Sequence, residues 1–242
     1  MLKGKTVLVT GGTKGIGRAI CMVLAKEGHH IISFSSNVDN VKSLQRALDN
    51  LGVGSPHKIF VYDVFDNDME YGGGNADILV NNVGGGGSWG MEENVMEENV
   101  MEINYFSQVR YTSMVLDNME KKKWGRVITI SSIYGKEAHD NSYFCAAKSA
   151  QNAYMKSMAK KKTYARKNIT FNTVSPGRIM CGNYYKHNKN TAKFKKLVKG
   201  TPMGKIGKPE DVANVVRFLC SNESSYINGA NIIVDGGESV AI

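Results

Sequence analysis

Seven short apolar runs, at residues 6 to 10, 30 to 34, 57 to 62, 77 to 81, 126 to 131, 169 to 174 and 231 to 234, alternate with segments of helical period. Strands joined through crossover helices pair in parallel, because a neighbour running the same way needs a dozen or more residues to bring the chain back to its starting edge. The pattern therefore predicts an α/β fold with one open, doubly wound parallel sheet. Ile20, Val23 and Leu24 form a stripe on the first helix, and Val41, Leu44 and Leu48 one on the second, the spacing of helices packed on a sheet face. With 242 residues and 42% of them hydrophobic, the chain suits one such domain over 1–242, and no Pro- or Ser-rich linker divides it.

The first strand and helix are joined by Thr10-Gly11-Gly12-Thr13-Lys14-Gly15-Ile16-Gly17. A backbone that bends sharply from strand into helix and admits a pyrophosphate to its amides cannot carry Cβ atoms at the tightest points, which Gly11, Gly15 and Gly17 satisfy. The helix that starts here turns its orphan N–H groups and the positive end of its dipole toward an anion. Strand, glycine turn and helix occur in the order a dinucleotide site requires.

Other features narrow the class. Residues 1–5 contain no apolar signal segment and nowhere do eighteen apolar residues run together, so a cytoplasmic protein with no membrane partner is expected. Cys21, Cys145, Cys181 and Cys220 lie far apart without metal-type spacing, predicting free thiols and no metal. Arg178 to Lys208 contains nine Lys and Arg and no acid; subtracting these from the totals of 31 and 22 leaves 22 basic against 22 acidic residues. The whole +9 therefore sits in one segment, at about 178–208, which predicts an anionic substrate or carrier. Nucleic acid is not expected, since neither helix-turn-helix nor zinc spacing nor an aromatic stacking pattern accompanies the charge. The repeated Met91–Val95 and Met96–Val100 reads as a charged surface helix, and Lys121–Lys123 and Lys160–Lys162 as helix ends. Phe65 to Asn75, with Gly72 to Gly74, must cross the sheet in eleven residues, too few for a three-turn helix. A loop or a single helical turn is expected there.

Over almost its whole length the chain resembles the short-chain dehydrogenase/reductase family, and looks most like its 3-oxoacyl-acyl-carrier-protein reductase branch. The matching residues are Thr10 to Gly17, Asp63-Val64, Asn81-Asn82-Val83-Gly84, Asn104, Ile130-Ser131-Ser132, Ala146-Ala147-Lys148, Ser175-Pro176-Gly177, Ile227-Asn228-Gly229 and Val234-Asp235-Gly236-Gly237. The resemblance implies a Rossmann-like domain with a seven-stranded parallel sheet, a nicotinamide cofactor and a homotetramer or homodimer. It implies adenine binding at Asp63 with Val64 beside it, an adenosine-ribose segment at Asn82, Val83 and Gly84, and a nicotinamide-flanking segment at Pro176 and Gly177. Thr13 and Ile16 belong to the same glycine turn. An acid ending the second strand selects NAD, by bonding the ribose 2′-hydroxyl and repelling a 2′-phosphate. Here the stretch reads Ser33-Phe34-Ser35-Ser36-Asn37, with no acid before Asp39, and Lys14 adds a cation, so NADP(H) is expected with Ser35 and Ser36 beside the phosphate.

The family's chemistry uses a proton donor, a lysine that holds the nicotinamide ribose, and a serine that steadies the oxyanion. Ser132, Lys148 and Asn104 match three of four roles. The family's tyrosine stands four residues before the lysine, on the same helix face, and that position here is Phe144. Tyr143 lies five residues from Lys148, about 140° around a regular helix. It is expected to supply the hydroxyl if the helix starts late, with Tyr134, two residues after Ser132, as the second candidate. The expectation is thus an NADP(H)-dependent oxidoreductase reducing a carbonyl or oxidising the matching alcohol. The alternative that Phe144 suggests is an impaired dinucleotide-binding subunit.

Overall fold

Alternation with period two decides how the sheet is buried. In the computed structural model, which describes residues 4–52, 56–66, 73–85, 97–181 and 191–241, Val7, Val9, Ile78, Val80 and Ile128 join one core, while Leu8, Leu79, Val127 and Phe171 join another. Successive side chains of a strand point to opposite faces, so two apolar faces need continuous apolar strands and a layer of helices on each.

The strands are β1 (Thr6–Val9), β2 (His30–Ser35), β3 (Lys58–Val61), β4 (Ile78–Asn81), β5 (Gly125–Ile130), β6 (Ile169–Pro176) and β7 (Asn231–Val234). They form one sheet in the order β3-β2-β1-β4-β5-β6-β7, parallel throughout. The chain winds outward from β1 to β3, then returns to β4 on the other side of β1, which opens a crevice at the carboxyl ends of β1 and β4. All seven expected strands are present to within two residues, the largest difference being the extension of β6 to Pro176.

The helices are α1 (Gly15–Lys26), α2 (Val38–Asp49), α3 (Glu97–Met101), α4 (Ser107–Lys122), α5 (Ser142–Ala159), α6 (Lys162–Ala165), α7 (Ala192–Gly200) and α8 (Pro209–Leu219). Helices α1 and α8 cover one face with Ile20, Leu24, Val212 and Val216, while α4 and α5 cover the other with Val115, Met119, Met155 and Met158, all buried. Each such side chain contributes roughly 1.5–3 kcal/mol. Val41, Leu44 and Leu48 of α2 are buried as their spacing requires, and Asn37 caps that helix by accepting the Asn40 N–H at 3.0 Å. On α5, Ala147 and Met158 are buried, and Ala150 and Tyr154 half-buried.

Gly73–Asn75 forms a single helical turn at the end of the short crossover; residues 67–72 lie outside the described part. So do 91–96 of the repeated stretch, whose second half runs into α3. Lys121 and Lys122 lie in the last turn of α4, and Lys160 caps α5, where cations meet the negative end of the dipole. The four cysteines are free, and among the described residues no acid, His and Cys cluster could hold a metal and no helix is long and apolar enough to cross a membrane.

Candidate active site

Thr10, directly after β1, ties the two sides of the switch point together. Its Oγ1 accepts the N–H groups of Asn82 (2.9 Å) and Val83 (3.0 Å), while Asn82 Nδ2 donates to the carbonyls of Thr10 (3.0 Å) and Gly11 (3.1 Å). This brings the glycine turn against the loop after β4. Gly17 is required by that contact: a Cβ there would stand 2.5 Å from Asn82 Nδ2 and 2.7 Å from the Gly11 carbonyl oxygen. Gly11 and Gly15 adopt φ of 61° and 51°, the left-handed region that favours glycine. Neither Thr10 nor Gly12 was among the expected site residues. Gly12 donates its N–H to Ser33 Oγ at 2.9 Å, with no space for a Cβ against Ser33 and Cys21.

A cleft of about 650 Å³ opens at the switch point. Its lining includes Gly11, Lys14, Gly15, Ile16 and Gly17 after β1, Ser36 after β2, Asp63 and Val64 after β3, and Asn82, Val83 and Gly84 after β4. Ser132, Lys148, Pro176 and Gly177 line it as well. Thr13 and Ser35, expected beside them, do not line it: Thr13 is buried, its carbonyl accepting from Arg18 Nη1 at 3.4 Å, and Ser35 Oγ accepts the Asn37 N–H at 3.3 Å. A bound nicotinamide dinucleotide fits this lining, because glycines keep the path of a pyrophosphate open beside the N-terminus of α1.

Asn104 sits in a π-helical turn, Glu102–Phe106, that joins α3 to α4. Its side chain is fully buried and held: Oδ1 accepts the Gly85 N–H at 3.1 Å, and Nδ2 donates to the carbonyls of Gly85 (3.0 Å) and Val100 (2.8 Å). Its own carbonyl accepts from Gln151 Nε2 at 2.6 Å. Asn104 thus shapes the loop under the cleft and does not line it. Gly84 is enclosed by it, since a Cβ there would be 2.5 Å from Asn104 Oδ1 and 3.2 Å from Lys148 Nζ.

Lys148 is buried on α5, and Nζ donates to the Ile130 carbonyl at 3.1 Å. Burial pulls this amine down from an ordinary 10.5 to about 7, because the charged form loses its hydration. Its Nζ lies 5.4 Å from the centre of the Phe144 ring, so Phe144 occupies the face and the cleft position expected of the family's donor.

Tyr143 is not beside Ser132 and Lys148. Helix α5 starts at Ser142, not late, and Asn141 caps it by accepting the Phe144 N–H at 2.9 Å. The geometry is regular from the first turn, so one residue of offset turns Tyr143 out of the cleft, where it is 40% exposed. Tyr134 does line the cleft. It belongs to a short turn, Ile133–Gly135, whose cap Ser132 accepts the Tyr134 N–H at 3.2 Å. Its ring centre lies 4.3 Å from that of His139 and 6.4 Å from that of Phe144. Burial raises the Tyr134 phenol above its ordinary 10; Arg178 opposes the rise and Glu238 adds to it.

His139, Arg178, Ile179, Cys181 and Phe65 also line the cleft and were not foreseen. All lie outside helices and strands, and only the position of His139 between Ser132 and Lys148, and of Arg178 directly after Pro176-Gly177, signals them. His139 Nδ1 accepts the Asn141 N–H at 3.1 Å, which orients its ring.

A family model described as enoyl-(acyl carrier protein) reductase matches residues 11–239. The chain is 36% identical to the 3-oxoacyl-acyl-carrier-protein reductase FabG of Buchnera aphidicola subsp. Schizaphis graminum over 98% of each chain. It is 34% identical to the FabG of Vibrio cholerae, again over 98% of each. Among solved structures, a 3-oxoacyl-acyl-carrier-protein reductase from Brucella melitensis with bound NAD superimposes with a TM-score of 0.84 at 26% identity, covering 98% of this chain and 92% of that one. YwfH, an NADPH-dependent reductase involved in bacilysin biosynthesis, shares the fold with a TM-score of 0.86 at 24% identity, covering 99% and 100%.

Proposed function

The chain belongs to the short-chain dehydrogenase/reductase family, a family of oxidoreductases, and from that premise we propose that it is an NADP(H)-dependent carbonyl reductase whose proton donor is Tyr134. The observation that carries this reading is the meeting of the glycine turn, Ser132, Lys148 and Tyr134 in one cleft at the switch point. A nicotinamide dinucleotide, when bound, supplies or accepts hydride. The chain's residues supply the rest. Ser132 Oγ, which accepts the Tyr134 N–H, has its own O–H to donate to a developing oxyanion. The Tyr134 phenol, held above its ordinary range by burial, stays protonated at neutral pH. Its O–H passes the proton to the carbonyl oxygen as the alcohol forms, and the phenolate regains one from solvent at the cleft mouth.

The preference for NADP(H) rests on Lys14 and Ser36 at the adenosine end of the cleft, with the first acid, Asp39, inside α2. Lys14 is exposed, as a cation meeting a phosphate at the rim must be. The basic segment supports an anionic substrate or carrier, the carrier finding a counterpart in relatives that are named for acyl-carrier-protein substrates. A homotetramer or homodimer belongs to the same proposal, and light scattering coupled to gel filtration checks it. The second reading, an impaired dinucleotide binder, is favoured by one observation, the Phe144 ring in the cleft beside Lys148.

The test is NADPH oxidation against a panel of oxo compounds that includes acyl thioesters, oxo acids and nucleotide sugars. Turnover of any of them supports the reductase; tight NADPH binding with no turnover across the panel supports the binder.

A further inference from the structure

Lys186 and Lys189 of the basic segment lie outside the described residues. Of the other seven cations, Lys193, Lys195, Lys196, Lys199, Lys205 and Lys208 are exposed and none of the six lines the cleft. Arg178 differs. It lines the cleft together with Tyr134 and Phe144, with 30% of its side chain open to solvent.

We propose that Arg178 binds an anionic group, such as a carboxylate, carried by the substrate close to its reacting carbonyl, so that the preferred substrates are small oxo acids and not neutral carbonyls. The inference rests on the reductase reading and names the substrate class of that site. A guanidinium offers a planar fork that matches a carboxylate bidentately, which an ammonium does not.

The structure prepares Arg178 for this work. Its N–H donates to Glu238 Oε2 at 3.1 Å, its carbonyl accepts the Gly207 N–H at 3.0 Å, and its Nη1 lies 2.6 Å from Glu238 Oε1. Glu238 is in turn fixed by a turn at Asp235, whose carboxylate accepts the N–H groups of Gly237 (2.8 Å) and Ser239 (2.7 Å). The next residues are tied to the loop that carries His139, where Glu137 Oε1 accepts the N–H groups of Val240 and Ala241, each at 2.6 Å. The strap 235–241 therefore spans from Arg178 to the loop carrying His139. The Tyr134 phenol feels the charges of both Arg178 and Glu238, which sets the guanidinium within electrostatic reach of the proposed proton donor. Glu238 orients Arg178 and at the same time offsets its charge.

The experiment compares one carbonyl with and without its charge: acetoacetate and ethyl acetoacetate, with NADPH, on the parent protein, Arg178→Gln and Glu238→Gln. The parent should prefer the acid. Arg178→Gln should lower kcat/KM for the acid by about 10- to 100-fold more than for the ester. Glu238→Gln keeps an acceptor for the Arg178 N–H and removes the offsetting charge, so it should lower KM for the acid alone. It carries the same test should Arg178→Gln fail to fold. Preference for the ester, or equal losses on acid and ester, overturns the inference and leaves the reductase standing. Absence of turnover with both would count against the reductase, and Arg178 is then decided by thermal stabilisation of the NADP-loaded protein. Stabilisation by 3-hydroxybutyrate, absent with its ethyl ester and lost in Arg178→Gln, supports the inference, and equal or absent effects of the two overturn it.

Discussion

Replacing Lys148 with Met removes a buried amine whose Nζ donates to the Ile130 carbonyl at 3.1 Å. The folded chain holds this amine at about 7 against an ordinary 10.5, a gap equivalent to about 5 kcal/mol at ~1.36 kcal/mol per pH unit. The unfolded chain binds the proton more tightly, so the sign follows. Above about pH 10.5 both states are neutral and the amine costs nothing. As pH falls the unfolded state is protonated first and the cost grows, reaching its full size below about pH 7, where both states are charged. Against this, the substitution leaves the Ile130 carbonyl without its donor, a loss of about 1–3 kcal/mol. Lys148→Met should therefore stabilise the cofactor-free protein by about 2–4 kcal/mol at pH 6.5, or roughly 5–15 °C in Tm. At pH 10.5 it should be neutral or destabilising. Thermal unfolding followed by circular dichroism on variant and parent in the same buffers reads the difference. A change of equal sign and size at both pH values would refute the reasoning, because a packing effect has no such pH dependence.

Other perturbations follow from the cleft. Lys14→Ala should weaken NADPH by about one to two decades, the worth of one charge-assisted contact, and leave NADH nearly unchanged in a fluorescence titration; equal loss for both would remove the 2′-phosphate assignment. Gly17→Ala places a Cβ 2.5 Å from Asn82 Nδ2, so chemical denaturation should show a loss of about 1–3 kcal/mol accompanied by weaker dinucleotide binding. Tyr143→Phe, at an exposed ring, should leave turnover within about twofold and stability within about 0.5 kcal/mol.

The sheet was legible because strands buried on both faces must be apolar nearly throughout, and Val7 to Val9 or Ile78 to Val80 leave little else to choose. The glycine turn was legible for a similar reason, since Gly11, Gly15 and Gly17 each meet a steric demand that no other residue meets. Spacing alone also separated Phe144 from Tyr143: the 140° offset holds because the Asn141 cap makes α5 regular from its first turn. What misdirected the choice was the assumption of a late start. His139, Arg178 and Cys181 reach the cleft from loops, whose path depends on contacts such as Glu238 to Arg178, sixty residues apart in the chain. No periodicity encodes such contacts. Asn104 was found by motif but its part was not, because only the fold reveals that its amide is spent on Gly85 and Val100.

The account turns on Tyr134 standing in for the absent tyrosine at Phe144. The most direct measurement is the rate of NADPH oxidation by Tyr134→Phe on a substrate the parent turns over, with NADPH affinity determined alongside. Removing a general acid should lower the rate by about 10²–10⁴ while the NADPH Kd stays within about twofold. Turnover near the parental rate in Tyr134→Phe would contradict the account, and so would an inert parent made active by Phe144→Tyr, since the cleft would then lack a working proton donor.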